Sequence, residues 1–547
     1  MEPVNKDDIK GLLNSFVVLD TDGILSTDPE TTELEQDFLT DEDDDRDTID
    51  NDIFISGSSI DTKLPENLEV SENVAPKVKE SVTSDAFYAD YCSKYLHFTD
   101  TNPTTYHAID YFSRLLESLN YRYLSEKEPM KFNAEGGLYF SSRDQQSLIA
   151  LIVGGKWEPK NGFGIVGSHV DALTAKLKPT SLKSPVSGYE LLGVAPYSGA
   201  LNHLWLDRDL GIAGRVLIRD ATTRSISAKL VSSGLHAICR IPTLAPHFGA
   251  TAQKPYNKET KMVPVMAFGA DDEPATKEEL ASPLYGKHSL ILLRYVANLA
   301  GTSVANLVAL DLDLYDVQAA VRGGIKNDFM FAPRIDDRLC SYSAIHGLLE
   351  FSSTLDLANY SGCSIVYLAN NEEIGSATRT GARGKFLNSA IESLIASLGH
   401  SQTEVKVAFA NSIILSADVT HLLNPNFTSA YLTNHFPLPN IGLTLKKDAN
   451  GHVMTDLIGI AMMEAVAAKN ELTLQQFHIR NDMPSGGTIG PMLAVDTGAR
   501  VIDVGLAQLS MHSIRAAAGY KEVGIGVETF KAFFKDWRLE LDLIDYL

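Results

Sequence analysis

The sequence has few cysteines, and their spacing does not suggest a zinc finger or a disulfide framework. Its 547 residues include only four, Cys92, Cys239, Cys340 and Cys363, and no two of them form a CxxC pair. Zinc fingers need closely spaced thiolate ligands, and disulfide-rich secreted domains need a higher density of cysteine. We therefore expect four reduced cysteines in the core of a protein that is made in the cytosol.

Long apolar runs are also missing. The apolar stretches are short, such as residues 148–153, whereas a membrane-spanning helix needs about 20 apolar residues. The first residues include Glu2, Asp7 and Asp8, and no basic cluster precedes an apolar segment, so we expect no secretory signal. The sequence therefore predicts no membrane span.

Positive charge is scarce at one end of the chain. Residues 1–85 contain 24 Asp and Glu against 6 Lys and Arg, so the other 462 residues carry only −5 of the total net charge of −23. Proteins that bind nucleic acids usually have a basic surface, so we expect no nucleic-acid partner. The motifs of P-loop nucleotide-binding proteins, GxSxG hydrolases and HExxH metalloproteases are absent as well.

The first 85 residues are predicted to form two segments outside the core. An apolar stripe with the spacing of one helix face lies near the start: Ile9, Leu12, Leu13, Phe16 and Val17. This stripe predicts an amphipathic helix over residues 1–20. Residues 21–85 are rich in Asp, Glu, Ser and Thr, which predicts a disordered acidic linker. The helix can pack on its own domain, but because the linker separates it from any core, we favour binding to another molecule.

From about residue 86 the sequence predicts an α/β protein, because short apolar runs alternate with longer stretches of helical periodicity. The predicted strands include residues 164–167, 364–369 and 413–415, and the predicted helices include residues 103–119, 339–351 and 456–467. Turn residues are more frequent between about 181 and 320. We therefore predict a main domain, residues 86–180 and 321–547, that is interrupted by a second domain over residues 181–320.

Side chains that can bind metal ions follow several of the predicted strands. They occur at five places: His169 and Asp171, Asp336 and Asp337, Glu372 and Glu373, Asp418 and His421, and His512. In an open α/β sheet, ligands collect at the carboxyl ends of the strands, so residues far apart in the sequence can converge. Two histidines and three carboxylates are the ligand types of a two-metal hydrolase.

Each of these residues has a simpler explanation when it is considered alone. An HxD sequence is commonly a surface or capping pair, and an acidic pair commonly begins a helix. His421 and His512 are each compatible with a hydrogen-bonded histidine of the core. Only the combination favours a dinuclear metallohydrolase, and a dinuclear phosphoesterase is the nearest alternative.

Several ordered motifs resemble the aspartyl aminopeptidase family of zinc metallopeptidases. They are Gly-Ser-His169-Val-Asp171-Ala, Pro-Arg-Ile-Asp336-Asp337-Arg, Asn-Glu372-Glu373-Ile-Gly, Ser-Ala-Asp418, Ser485-Gly-Gly-Thr-Ile-Gly490-Pro and Met-His512-Ser-Ile-Arg515. Two others are most similar to vacuolar members: Leu204-Trp205-Leu-Asp-Arg-Asp-Leu-Gly-Ile and Leu-Ala-Pro-His247-Phe-Gly. The resemblance covers about residues 86–547, and the leading helix resembles the propeptide of those vacuolar members.

The resemblance implies a fold and a set of metal ligands. The fold is a mixed-sheet catalytic domain, residues 86–180 and 321–547, interrupted by an oligomerisation domain, residues 181–320. Each subunit is expected to bind two zinc ions bridged by Asp336. By the same resemblance, His169 and Asp418 complete one zinc site, and Glu373 and His512 complete the other.

The resemblance also implies catalytic and substrate-binding roles. Asp171 is expected to orient His169, and Glu372 to take a proton from water and pass it to the leaving amine. The residues expected to contact the substrate are His247, His421, Glu372 and Asp418, with His247 reaching the site of a neighbouring subunit. Residues 486–488 either begin a helix or line the specificity pocket with backbone amides.

The implied function is the removal of neutral or apolar N-terminal residues from peptides. The enzyme is expected to be made in the cytoplasm as a homo-oligomer, a dodecamer, and to reach the vacuole lumen through a transport receptor that binds residues 1–20. One alternative is an aspartyl aminopeptidase acting on N-terminal Asp or Glu, because Lys446 and Lys447 lie where acid-selective members carry a lysine. Another is a self-assembling transport cargo or scaffold.

Overall fold

The computed structural model describes residues 83–269 and 273–545. The predicted helix over residues 1–20 lies outside the described residues, as does all but the end of the linker predicted over residues 21–85. The first described helix begins at Asp85, and the side chain of Ser84 caps it by accepting a hydrogen bond from the backbone of Phe87. Within the described ranges, no helix is both long and apolar enough to cross a bilayer.

The described residues contain the following helices and strands. The α-helices are α1 (Asp85–Thr101), α2 (Thr105–Ser118), α3 (Lys277–Leu280), α4 (Leu290–Leu299), α5 (Ile335–Ser352), α6 (Phe386–Ser397), α7 (Gln402–Ala410), α8 (Leu457–Lys469), α9 (Gly490–Thr497) and α10 (Glu522–Asp542). The strands are β1 (Arg122–Tyr123), β2 (Gly137–Arg143), β3 (Ser147–Val153), β4 (Gly164–His169), β5 (Thr174–Leu182), β6 (Tyr189–Tyr197), β7 (Asp209–Arg219), β8 (Ile226–Ser232), β9 (Cys239–Arg240), β10 (Val265–Phe268), β11 (Leu307–Asp316), β12 (Val321–Gly323), β13 (Phe329–Ala332), β14 (Cys363–Ala369), β15 (Ile413–Ala417), β16 (Thr420–His421), β17 (Leu443–Lys446), β18 (Leu474–Phe477), β19 (Arg500–Gly505), β20 (Ala507–Leu509) and β21 (Ala516–Gly519).

Nine strands form one mixed sheet, which we call the main sheet, in the order β1-β2-β3-β14-β4-β15-β19-β17-β18. Its central strands β14, β4, β15 and β19 are parallel, whereas β3 and β17 pair antiparallel with their neighbours β14 and β19. Every residue of β3, β14 and β15 is buried, as expected for strands that are covered on both faces. The predicted α/β fold is confirmed.

Helices cover both faces of the main sheet. One face packs against α1, α2, α5, α8 and α10, and the other against α6, α7 and α9. Helices α5 and α10 approach each other closely at Gly347, where an added Cβ atom would lie 2.9 Å from the Cβ atom of Phe530. This contact fixes α5, whose N-terminal end carries Asp336 and Asp337.

A second sheet is built from strands between Thr174 and Asp316, in the order β11-β5-β6-β10-β9-β7-β8. Strand β11 also pairs with β7, so six of these strands close into a barrel. Closure leaves fewer unpaired strand edges, and the interior forms a separate apolar cluster that includes Trp205 and Leu293. The second sheet overlaps the segment that the sequence predicts to be an inserted domain.

A third, small sheet has the order β12-β13-β21-β20-β16 and lies beside the C-terminal ends of the central strands. It contains His421 in β16, and His512 follows β20. The four cysteines are buried and form no disulfide, which confirms the prediction for these residues.

Candidate metal centre

The parallel strands of the main sheet end at a common edge. His169 is the last residue of β4, and it pairs with Ala369, the last residue of β14. Glu372 begins a short 3₁₀ turn that follows β14, and Asp418 comes directly after β15, the other neighbour of β4. Residues that follow adjacent parallel strands are neighbours in space. The fold therefore places these side chains in one cluster.

Asp336 lies between the two histidines that the sequence predicts to be ligands. Its Oδ1 atom is 3.2 Å from Nε2 of His169, and its Oδ2 atom is 3.6 Å from Nε2 of His512. His169 is buried, whereas the side chain of His512 is exposed. A carboxylate with one oxygen near each of two histidines is well placed to bridge a pair of metal ions.

The other predicted ligands divide into two groups around Asp336. Ligand atoms of Asp336, Glu373 and His512 all lie within 4.8 Å of one another. On the other side, Oδ1 of Asp418 is 3.8 Å from Nε2 of His169. The structure thus brings together all five predicted ligands, His169, Asp336, Glu373, Asp418 and His512.

Asp337 is a further carboxylate on the His169 side, and the ligand set implied by the resemblance does not include it. Its ligand atom lies within 4.8 Å of those of His169 and Asp418. The side chain is fully buried, and its Oδ1 atom accepts a hydrogen bond from the backbone N–H of Val419 at 3.2 Å. Burial raises the pKa of Asp337 well above its ordinary value. Because Asp336 lies near both histidines, the geometry favours Asp336 as the bridging residue.

The electrostatics of the cluster favour a bound cation. Burial raises the pKa of Glu372 to about 7 and that of Glu373 to about 9, because desolvation and the neighbouring carboxylates disfavour the ionised forms. Burial alone lowers the pKa of His169, but hydrogen bonding to Asp171 and Asp336 outweighs it and raises the pKa. A divalent cation would relieve the repulsion among these carboxylates.

The donor atoms fit zinc. Imidazole nitrogens and carboxylate oxygens are common zinc ligands. Among the described residues, Oε1 of Glu373 and Oδ2 of Asp337 are buried without a hydrogen-bond partner. Buried polar atoms of this kind are costly unless a ligand or an ion satisfies them. The residues present are therefore able to hold zinc on both sides of Asp336.

Asp171 lies behind the cluster and connects its parts. Its Oδ1 atom is 3.3 Å from Nδ1 of His169 and accepts a hydrogen bond from the backbone N–H of Glu372 at 3.2 Å. Its Oδ2 atom accepts one from the backbone N–H of Glu373 at 3.3 Å. A carboxylate on the far nitrogen of a metal-binding histidine sets the tautomer and orientation of the ring. Asp171 therefore contacts one predicted ligand and the backbone of the turn that carries another.

Two residues of this network were missed by the sequence analysis. The hydroxyl of Tyr197 donates a hydrogen bond to Oδ2 of Asp171 at 2.7 Å and accepts one from Nδ2 of Asn371 at 2.8 Å. Tyr197 is the last residue of β6 in the second sheet, and no local pattern marks it. Asn371 belongs to the motif Asn-Glu372-Glu373-Ile-Gly, but the sequence analysis gave it no role.

Lys446 lies close to Asp418 instead of on the protein surface. It is buried, and its Nζ donates a hydrogen bond to the backbone carbonyl of Val419 at 3.1 Å. Burial lowers the pKa of Lys446, but the negative charges of Asp418 and Asp503 outweigh this effect and raise it. Lys446 thus compensates the charge of a predicted ligand, whereas Lys447 is exposed.

The two histidines predicted to bind substrate lie in different places. His421 is exposed in β16, which begins two residues after Asp418 and therefore lies beside the ligand cluster. Its pKa is lowered by desolvation and by the charges of Lys446 and His512. His247 is exposed on the 3₁₀ segment Pro246–Ala252, in the part of the chain that forms the second sheet. In the described part of the chain, His247 makes no hydrogen bond or ion pair with the predicted ligands. The structure therefore does not bring His247 to the cluster of its own subunit.

The side chain of Thr488 stabilises the start of helix α9. Its hydroxyl accepts a hydrogen bond from the backbone N–H of Gly490, the first residue of α9, at 3.1 Å and donates one to Asp503 at 2.6 Å. Added Cβ atoms at Gly486 and Gly487 would meet no other atom within 4 Å. The contacts of Thr488 favour the helix-start explanation for this residue.

The chain matches a known protein family over most of its length. The family described as aminopeptidase I zinc metalloprotease (M18) matches residues 98–534. Vacuolar aminopeptidase 1 of Saccharomyces cerevisiae is 50% identical over 461 residues, which are 83% of this chain and 90% of that protein. Similarity of this extent concerns the whole folded body and not an isolated motif.

Solved structures show the same similarity. A crystal structure of prApe1 has a TM-score of 0.82 and 50% sequence identity, over 83% of this chain and 96% of that chain. The structure of the S. cerevisiae mApe1 dodecamer has a TM-score of 0.76 and 46% identity, over 83% of this chain and 98% of that chain. Both structures share the mixed α/β fold described above.

Proposed function

Because the chain belongs to the M18 family of zinc aminopeptidases, we propose that the cluster around Asp336 holds two zinc ions and that the enzyme removes N-terminal residues from peptides. The observation that carries the two-ion site is the position of Asp336, whose carboxylate oxygens lie 3.2 Å from His169 and 3.6 Å from His512. His169 and Asp418 would hold one ion together with Asp336. Glu373 and His512 would hold the other.

Glu372 is the proposed general base. Bound zinc supplies Lewis-acid chemistry, which polarises a peptide carbonyl and makes water more acidic. The Oε2 atom of Glu372 is 3.9 Å from Nε2 of His169, so its carboxylate lies beside the ligands without being one of them in this assignment. Glu372 would accept a proton from the attacking water and donate it to the leaving amine.

The neighbouring residues would orient the reactants. Asp171, whose Oδ1 lies 3.3 Å from Nδ1 of His169, would orient the ring of that histidine. The carboxylates of Glu372 and Asp418 would contact the substrate at its free α-amine, which would restrict hydrolysis to the first peptide bond. His421, exposed beside the cluster, would contact the rest of the substrate.

We propose a preference for neutral or apolar N-terminal residues. The support is the burial of Lys446, whose ammonium group is hydrogen-bonded to the backbone of Val419 and faces the charges of Asp418 and Asp503. A lysine engaged in this way is less available to pair with an acidic substrate side chain. The alternative, a preference for N-terminal Asp or Glu, depends on a contact between the substrate and Lys446 or the exposed Lys447.

The test compares leucyl and aspartyl p-nitroanilides with wild-type protein and the Lys446→Met variant, each with its zinc content measured. Our proposal expects the wild type to hold two zinc ions per subunit and to cleave the leucyl substrate faster. It also expects Lys446→Met to weaken cleavage of both substrates, because Asp418 loses its compensating charge. Faster cleavage of the aspartyl substrate, lost selectively in Lys446→Met, would establish the acidic preference instead.

We propose a homo-oligomer, a dodecamer like that of mApe1, in which residues 181–320 form the oligomerisation domain and residues 86–180 and 321–547 the catalytic domain. Large apolar side chains are exposed in the part of the chain that forms the second sheet, including Phe248 at 64% and Phe268 at 72% relative exposure. The ring centroid of Phe268 lies 4.9 Å from that of Tyr189, which is also exposed, and contiguous apolar surfaces commonly mark protein interfaces. His247 is exposed next to Phe248, and in the oligomer it would enter a neighbouring subunit's site.

We propose that the enzyme is made in the cytoplasm and delivered to the vacuole lumen, and that residues 1–20 are a propeptide bound by a transport receptor. The apolar stripe of that segment supports binding to a groove. The intact ligand cluster argues against a cargo or scaffold without activity. Cell fractionation combined with a zinc assay would separate these possibilities, since an inactive scaffold would be delivered without zinc.

A further inference from the structure

We propose that Tyr197 is a positioning residue of the metal centre, through which the second sheet holds Asp171 against the turn that carries Glu372 and Glu373. The inference rests on the proposed zinc site and assigns a role to a residue outside the ligand set. Tyr197 reaches the centre of its own subunit, so this role is separate from any contact between subunits.

The hydrogen-bond directions show what the hydroxyl of Tyr197 does. The side-chain oxygen of Asn371 accepts a hydrogen bond from the hydroxyl of Thr378 at 2.8 Å, and that hydroxyl accepts one from the backbone N–H of Gly381 at 2.9 Å. The amide nitrogen of Asn371 is therefore left to donate to Tyr197, at 2.8 Å. Because the Tyr197 oxygen accepts that bond, its own proton is directed to Asp171.

The contact with Tyr197 is the shortest that Asp171 makes in the described structure. The distance from the hydroxyl to Oδ2 of Asp171 is 2.7 Å, whereas the contacts from His169, Glu372 and Glu373 are 3.2 to 3.3 Å. Hydroxyl donors to carboxylates form short and strong hydrogen bonds. The orientation of the Asp171 carboxylate is therefore set mainly by Tyr197, and the three weaker contacts depend on that orientation.

The second sheet determines where this hydroxyl lies. Tyr197 ends β6, and it pairs with Thr174, the first residue of β5, which begins three residues after Asp171. The chain thus leaves the metal centre in β5 and returns to it in the adjacent antiparallel strand. A shift of one residue in this pairing would move the Tyr197 ring by more than 3 Å and turn it to the other face. The pairing of β5 with β6 is therefore coupled to the geometry of the metal centre.

The experiment uses full-length, zinc-loaded protein and two matched variants, Tyr197→Phe and Tyr315→Phe. Tyr315 lies in β11 of the same sheet and is also buried, but its hydroxyl donates to the backbone carbonyl of Gly234 at 2.7 Å. Both variants lose one buried hydroxyl from the second sheet. Three quantities are measured: the rate of zinc transfer to a chromophoric chelator, kcat and KM for a leucyl substrate, and the melting temperature.

We expect Tyr197→Phe to release zinc about tenfold faster and to lower kcat about tenfold with KM within about twofold. This is the lower end of the effect of losing a hydrogen-bond partner of a metal ligand, because Tyr197 acts on His169 through Asp171. Tyr315→Phe should lower the melting temperature and leave zinc release and kcat unchanged. Zinc release and kcat within about twofold of wild type in Tyr197→Phe would overturn the inference. So would an equal effect in Tyr315→Phe, since it would assign the effect to the sheet in general. A wild-type protein that binds no zinc would refute the proposed centre itself, and the inference with it.

Discussion

The backbone N–H of Glu372 donates a hydrogen bond to Oδ1 of Asp171 at 3.2 Å, so the proposed general base is anchored to the partner of His169. The anchor uses the backbone of Glu372 and does not involve its carboxylate. The position of this turn therefore depends on Asp171 and not on the charge of the Glu372 side chain. This separation allows the chemical role of Glu372 to be tested without disturbing the metal ligands.

Replacing Glu372 with Gln should lower kcat by about 10²–10⁴-fold, because the change is nearly isosteric but removes the proton acceptor. Zinc content, assembly and thermal stability should stay close to those of the wild type. The measurements are steady-state kinetics with a leucyl substrate, zinc analysis and light scattering. Glu392→Gln, at an exposed position of α6, is the matched control. A Glu372→Gln enzyme with more than half of the wild-type activity would contradict the assigned role.

Replacing Asp336 with Ala should be more damaging than replacing Glu372, because both ions lose a ligand and the carboxylate between the two histidines disappears. We expect most of the zinc to be lost, as measured by metal analysis of the purified protein. Asp337→Asn is the informative control, since Asp337 also lies within 4.8 Å of His169 and Asp418. If Asp336→Ala retained two zinc ions and Asp337→Asn did not, the bridging assignment would move to Asp337.

Glu522 should make the stability of the protein depend on pH. Burial raises the pKa of Glu522 to about 8, although its Oε1 atom accepts a hydrogen bond from the backbone N–H of Asn440 at 2.7 Å. The unfolded chain releases this proton near the ordinary value of about 4.3. Between these two values the folded state binds more protons, so the free energy of unfolding falls as pH rises, by at most about 1.4 kcal/mol per pH unit.

The variant Glu522→Gln should therefore lose less stability than the wild type between pH 5 and pH 8. Denaturant unfolding at several pH values measures this difference. Glu278→Gln is a suitable control because it makes the same substitution at an exposed position. The same pH dependence in Glu522→Gln and wild type would show that Glu522 does not hold its proton in the folded state.

His247 should act on the active site of a neighbouring subunit. Oligomers of His247→Ala alone and of Glu372→Gln alone are expected to have low activity. Mixed oligomers, prepared by co-expression of the two variants, should regain activity, because a site with an intact Glu372 can receive His247 from a Glu372→Gln neighbour. Mixed oligomers that stay as inactive as the parents would show that His247 acts within its own subunit or not at all.

Replacing Leu13 or Phe16 with Asp should abolish vacuolar delivery and higher-order clustering, because a charge is placed on the apolar stripe of residues 1–20. Burial of each large apolar side chain in a receptor groove or between copies is worth about 1.5–3 kcal/mol before ordering costs. Peptidase activity and melting temperature should not change. Asn14→Asp adds the same charge outside the stripe and is the matched control. Loss of enzyme stability in Leu13→Asp would indicate that the helix packs on its own domain.

Local patterns in the sequence were sufficient for two strands that lead into the metal centre and for one helix that covers the main sheet. Residues 413–415 and 364–369 were predicted as strands, and β15 and β14 extend these runs by one or two residues. Helix α8 begins one residue after Asp456, which caps it as expected for a carboxylate at a helix start. These predictions succeeded because a strand that is buried on both faces needs a continuous apolar run, and a helix that is buried on one face needs apolar residues with helical spacing.

Contacts between distant segments were not predictable in the same way. The sequence analysis treated Lys446 as a possible substrate contact, but the structure buries it against Val419 and near Asp418. It also gave no role to Tyr197, whose hydroxyl reaches Asp171 from the second sheet. Both positions depend on which strands pair and in which register, and a single-sequence pattern carries no information about that pairing.

The sequence by itself determined which side chains can bind a metal ion and which strands they follow. The reason is that the donor atoms of a residue and the apolar pattern of a buried strand are both local properties of the sequence. Only the tertiary structure decided which residue orients Asp171 and that the second sheet closes through the pairing of β11 with β7. It also placed Asp336, the bridging residue that the family resemblance implies, between His169 and His512. The physical reason is that a buried charge or hydrogen bond depends on all the groups around it, and folding brings those groups together from residues more than 300 positions apart.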